Sequence, residues 1–257
     1  MKTLKKIAVT LNQMHMIKNI DKINLLLLYS FVMLVFMSGC THYYYAPNMH
    51  NVPLFKEKNE VRMLFARSSG DEFEGTEIQG AYAITNNIGV MANGFLADGQ
   101  YENNYGKGYL VEIGTGYFKP LDKKVVFETF GGIGKGYVEN GYGDGRWLSV
   151  KFMRYFIQPS IGFTSKYFDV AFSPRFSCLN FGNTQHSLLY EEYDVVSMGL
   201  NNINNNKCSI LFEPAFIVRG GWKFIKLQAQ LGLSSNLNNP DLKQEDVNIS
   251  IGAYFSL

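Results

Sequence analysis

Few side chains in this 257-residue chain are placed to do covalent chemistry. His186 and Ser187 could in principle form a base–nucleophile pair. Adjacent residues of an extended chain point opposite ways, so the pair reads as part of a solvated loop over 182–207 that is rich in Asn (Asn201, Asn202, Asn204, Asn205, Asn206). His42 and His50 lie in a separate segment near the N-terminus. There is no G-x-S-x-G, H-E-x-x-H or P-loop. The run Asp241 to Asp246, with Glu245, lacks the glycine and spacing of a calcium loop, and the loop of Gly141, Gly143, Asp144 and Gly145 is followed by no helix that could hold a phosphate. The expectation is therefore no catalytic site, no metal and no cofactor, and a protein that is not an enzyme. Two thiols, Cys178 and Cys208, flank the long loop. They either bridge, closing a loop of about 30 residues worth roughly 3–4 kcal/mol in a chain-entropy account, or remain two small buried thiols; the narrow geometric window for a bridge favours the thiols.

Cys40 is different, because its neighbours suit a specific modification. Residues 1–24 carry Lys2, Lys5, Lys6, Lys18 and Lys22. Leu25–Met37 is then an apolar run, about 20 Å long as a helix and shorter than a ~30 Å bilayer core, which is the size of a signal-peptide core. It ends in Met37-Ser38-Gly39-Cys40, which resembles the lipobox of bacterial lipoproteins. The resemblance implies diacylation of Cys40, cleavage before it and acylation of the new N-terminus, ample for stable anchoring. Met14 or Met16 as the start would shorten the leader and leave Lys18 and Lys22 as its charges. Thr41 in place of Asp, and the lack of an acidic run after Cys40, favour outer-membrane delivery with a periplasm-facing anchor.

Charge supports this division. Residues 1–39 hold five Lys against Asp21, leaving 19 basic and 21 acidic groups in the rest, so no basic surface for nucleic acid is expected. With 46% hydrophobic, 15% aromatic and 18% charged residues the chain is not disordered, and three cysteines are too few for a disulfide scaffold. Residues 40–59 contain Pro47 and Pro53 and no period, which predicts an extended lipidated tether. Tyr43, Tyr44 and Tyr45 would sit at the membrane interface or pack on the protein body.

From Glu60 onward the period is two. Tyr109, Val111, Ile113, Thr115 and Tyr117 alternate with Leu110, Glu112, Gly114, Gly116 and Phe118. The same pattern recurs from Val125 to Tyr137, from Ile225 to Ser234 and from Val247 to Leu257. Ten strands are expected, at 60–69, 74–84, 88–97, 106–118, 124–138, 147–163, 167–181, 208–219, 223–235 and 246–257. Turns at 85–87, 119–123, 164–166 and 220–222 are short. The connections 98–105, 139–146, 182–207 and 236–245 are long and polar, and 70–73 is the exception. This pattern predicts an all-β, antiparallel up-and-down barrel of outer-membrane type, with both chain ends on the short-turn, periplasmic side. A soluble calyx with the bulky faces inside, or a sandwich, is the competing fold. The small set (Gly114, Gly116, Gly132, Gly134, Gly136, Gly232, Gly252, Ala81, Ala83) suits a narrow lumen and the bulky set a lipid-facing surface.

With this parity the lumen carries Glu77, Glu112, Glu128, Asp169, Arg175, Glu213, Arg219 and Lys226. Opposite signs should pair, and the excess of acid needs water, protonation or partners from the tether. Glu112 and Glu128 are expected on neighbouring strands, and so are Glu213 and Lys226. Phe118, Phe130, Gln228, Gln230 and Tyr254 would occupy the remaining space, giving a plugged barrel.

The segments Tyr43-Tyr44-Tyr45-Ala46-Pro47-Asn48, Asn51-Val52-Pro53-Leu54 and Glu57-Lys58-Asn59-Glu60, after the lipobox, resemble a family of Bacteroidetes lipoproteins with an outer-membrane-type barrel. That resemblance implies location in the outer membrane of a Gram-negative bacterium and this fold; the family brings no established activity. The function expected is a structural or loop-mediated binding role. The alternatives are a narrow cation-preferring pore and a soluble tethered barrel binding a small apolar ligand. The partner expected is membrane lipid, through acylated Cys40 and the apolar barrel face, with no nucleic acid.

Overall fold

The computed structural model describes residues 42–101, 103–188, 208–240 and 242–257. The segment read as a leader, Cys40 and residues 189–207 of the long loop lie outside the described residues. The strands are β1 (Val61–Ser69), β2 (Glu74–Ala83), β3 (Ile88–Tyr101), β4 (Asn104–Pro120), β5 (Val125–Tyr142), β6 (Trp147–Thr164), β7 (Phe168–His186), β8 (Ser209–Gly221), β9 (Ile225–Leu233), the two-residue β10 (Ser235–Asn236) and β11 (Val247–Ser256). Each long strand pairs antiparallel with its sequence neighbours, and β1 pairs with β11, for example Phe65 opposite Ala253. The result is a closed ten-stranded antiparallel β-barrel of outer-membrane type.

Alternation sorts the two faces. On β4, Tyr109, Val111, Ile113 and Tyr117 are exposed on the outside, and Leu110, Glu112 and Phe118 are buried within. Lys107 and Lys119 flank this outer stretch. A calyx would invert the arrangement; here the bulky apolar residues face out and the charges in.

Four strands run further than their sequence pattern indicates. The segments expected as loops at 98–105 and 139–146 are mostly ladder, with Gln100 opposite Tyr105 and Asn140 opposite Leu148, and β7 continues to His186. Beyond the apolar band both faces meet polar surroundings, so the alternation fades while the backbone still pairs. Cys178 and Cys208 are joined by a disulfide with Cα atoms 5.6 Å apart, in place of two free thiols. Cys178 lies on the half-exposed outer side of β7, where Cys208 reaches it just before β8 begins.

The segment read as a tether does not stand apart from the barrel. Val61 N donates to Leu257 O at the short-turn end, so the barrel strands begin and end there. The chain before β1, however, passes through the lumen to the opposite end. His42 Nε2 lies 3.0 Å from Gly141 O at the end of β5, while Lys56 Nζ donates to Lys123 O in a short turn on the other side. The positions between are reached in order along the axis. A stretch of this length spans about 45 Å extended, enough to cross the barrel. The barrel strands thus begin and end at the short-turn end, whereas the chain from His42 starts at the long-loop end.

Candidate functional site in the barrel lumen

The luminal segment has no strand partner for most of its length. Pro47 and Pro53 lack the donor that a ladder needs, and an unpaired buried backbone group is costly. The wall therefore supplies side chains. Glu77 accepts from Met49 N at 2.7 Å and Glu128 from Leu54 N at 2.9 Å. The carbonyls of Pro47, Asn48, Met49, Asn51, Val52 and Pro53 accept from Asn248, Arg175, Gln79, Gln158, Arg219 and Tyr254 in turn, at 2.6–3.1 Å. Arg62 Nε adds a second donor to Pro53 O. Only at the long-loop end does the segment behave as a strand: Tyr45 bridges to Gln244, Tyr44 N donates to Lys243 O and Glu245 N to Tyr45 O.

All eight charges assigned to the lumen by parity are buried inside, and so are Arg154 and Arg62, which parity did not select. Arg154 is the centre of the arrangement. Its guanidinium donates to Glu112 at 2.7 Å, to Tyr45 Oη at 2.5 Å and to Asn48 Oδ1 at 2.7 Å. Glu112 and Arg154 lie on β4 and β6 and meet over Gly134 of β5, which is paired with both. A Cβ at Gly134 would come within 2.7 Å of Glu112 Cγ, so the glycine permits the ion pair. Next to it, Arg175 and Glu213 are directly opposed across β7 and β8, 2.9 Å apart, and Glu213 also accepts from Tyr45 Oη and Ser177. Asn48 thus bridges the two pairs, accepting from both arginines and donating to Glu112.

Glu112 and Glu128 lie on the paired strands β4 and β5, and Glu213 and Lys226 on β8 and β9, as expected, but neither pair is in contact by register. Glu112 sits opposite Gly134 whereas Glu128 sits opposite Phe118, six residues away along the same pair of strands. Glu213 is paired with Arg175, and Lys226 is ion-paired with Asp169 at 2.6 Å near the short-turn end. With Arg62 and Arg154 included, five bases face the five acids. Parity missed them because β6 carries Phe152 and Phe156 inside and Tyr155 and Ile157 outside, which blurs its alternation. Arg62 lies at the start of β1, before the pattern is established.

Apolar layers close the lumen above and below the charges. Toward the long loops Tyr44, Tyr45, Leu110, Leu148, Phe152 and Leu179 pack together. Toward the short turns Phe55 joins Phe118, Phe130 and Phe156, and Leu54 and Val52 join Val126 and Ile217. Leu54 approaches the wall at Gly162, where a Cβ would lie 2.6 Å from its methyl. Arg219 stacks over Tyr254, 3.8 Å from the ring centroid. Phe118, Phe130, Gln228, Gln230 and Tyr254 are buried as expected, together with most of the segment from Tyr44 to Phe55.

Outside this assembly, Ser187 is used structurally: its N–H donates to Trp147 O and its Oγ accepts from Trp147 N. Among the described residues no three His, Cys, Asp or Glu side chains cluster as metal ligands.

No protein-family model and no curated protein matches the chain. Solved structures similar to it include the KdgM porin (11% identity, 76% of this chain and 99% of that one, TM-score 0.40). The translocator domain of the autotransporter NalP from Neisseria meningitidis matches at 9% identity, over 77% and 88%, with a TM-score of 0.44. The outer membrane protease OmpT from Escherichia coli matches at 7%, over 79% and 98%, with a TM-score of 0.43. The likenesses are weak, and the fold given above rests on the strand pairing itself.

Proposed function

We propose that the chain is a lipid-anchored outer-membrane barrel, sealed by its own N-terminal segment, with a structural or loop-mediated binding role carried by the parts outside the bilayer. The observation behind this reading is the luminal segment. Tyr45, Asn48, Met49, His50, Val52, Leu54 and Phe55 are all buried. Membrane insertion is supported by the outer face. Ile113 is 62% exposed, and the apolar stretch from Tyr109 to Tyr117 covers about 20 Å along the axis at ~40° tilt, close to the ~25 Å between aromatic girdles. Anchoring through Cys40 rests on the lipobox resemblance. Labelled palmitate should enter the wild type and not Cys40→Ala.

Planar-bilayer recording tests the seal. The full-length protein should show no steady conductance, and a variant lacking residues 43–56 should conduct. Steady cation-selective current through the wild type, lost when Glu112 and Glu128 are changed to Gln, would favour the pore reading instead.

A further inference from the structure

The path of residues 42–56 has a consequence for the anchor itself. In barrels of this type the short turns face the periplasm and the long loops the cell exterior. The segment enters the lumen among the long loops. His42 stacks on Tyr142 with ring centroids 4.1 Å apart, and Tyr44 Oη meets Tyr142 Oη at 3.1 Å, both at the far end of β5. Burial, with the nearby carboxylates of Glu245, Glu72, Asp71 and Asp246, pushes the Tyr43 phenol up to about 12. Asn140 holds the Tyr43 carbonyl. The exit direction is therefore fixed by several contacts on the long-loop rim. Two residues of chain reach at most about 7 Å, so Cys40 cannot return to the short-turn side by any route through or around the wall.

We infer that the N-terminus is threaded through its own barrel and that the lipid on Cys40 is held on the outside of the cell, in the outer leaflet, with the short turns and the C-terminus in the periplasm. This rests on the lipid-anchor reading above and reverses the side that the sorting residues indicated. The charged core explains how a hydrophilic backbone is kept inside the barrel: Asn48 holds two opposed ion pairs together, and each carbonyl from Pro47 to Pro53 other than that of His50 has a side-chain donor.

A tobacco etch virus protease site flanked by Gly-Ser repeats, inserted between Thr41 and His42 of the full-length protein, reads the side directly. Protease added to intact cells should cut it, and mass spectrometry should find the new N-terminus on most barrel chains. Cutting only after the outer membrane is permeabilised, or no cutting even then, overturns the inference. The path is read separately with His50→Cys and Ser173→Cys, whose parent side chains lie 3.1 Å apart in the lumen. Oxidation should leave neither introduced thiol open to alkylation, and two alkylated thiols overturn the threading. Palmitate labelling keeps the two readings distinct. Cutting from outside without palmitate removes the anchor and leaves the threading; palmitate with cutting only after permeabilisation removes the threading and leaves the anchor.

Discussion

The barrel wall and the segment inside it solve one problem in two ways. Both must satisfy backbone polar groups away from bulk water. The wall does so with a ladder, which needs only repetition and tolerates most side chains. The segment does so with individual carboxylates, amides and guanidinium groups, each at one position. Redundancy therefore differs: removing a wall side chain leaves the ladder in place, whereas removing a lumen side chain strands a specific carbonyl, amide or countercharge.

The strongest test of that contrast is Arg154→Ala, which leaves Glu112 buried without its partner and releases Tyr45 and Asn48. Unfolding from lipid vesicles in guanidinium should show a loss of about 3–5 kcal/mol. Replacing Arg154 and Glu112 together by Met and Leu should cost clearly less, and equal losses would mean that the ion pair is not what holds the segment. For the wall, Ile113→Arg places a charge in the outer band and should cost about 2–4 kcal/mol in vesicles. A change near zero would mean that this face meets water. Gly162→Val fills the space that Leu54 occupies and should cost about 1–3 kcal/mol, with Leu54→Ala restoring part of it; no recovery in the double variant would separate the two sites.

The smallest effect expected is pH-dependent and lies at the rim. Burial, with Asp71 and Glu72 nearby, raises the Glu245 carboxyl to about 7, against the backbone N–H groups of Asp71 and Glu72 that favour its charged form. A raised folded-state value means that its favourable contribution is complete below the unfolded value near 4.5, declines as pH rises and is gone above about 7. Compared at the same pH, Glu245→Gln should therefore slow hydrogen exchange at the Tyr44 and Glu245 amides at pH 8, by up to about 1–2 kcal/mol, and change little at pH 4. An equal effect at both pH values would show that the carboxyl does not titrate in this range.

Strand order, face assignment and the eight parity-selected charges could be read from the chain because a period of two is local: it needs only the sign of each residue's environment. The strand extensions at 98–101 and 139–142 were not legible, because alternation vanishes where both faces are polar while pairing persists. The luminal path of Tyr43 to Lys56 was not legible either, although two signals pointed to it. One is the acidic excess left by parity; the other is the set Tyr44, Tyr45, Met49, Val52, Leu54 and Phe55, too apolar for a solvated linker. Neither specifies a destination. That destination depends on Asn48 meeting Glu112, Arg154 and Arg175 from three different strands. Only closure of the barrel brings those groups to one point, and it leaves an enclosed volume in which the buried charges require a partner that sequence spacing alone does not identify.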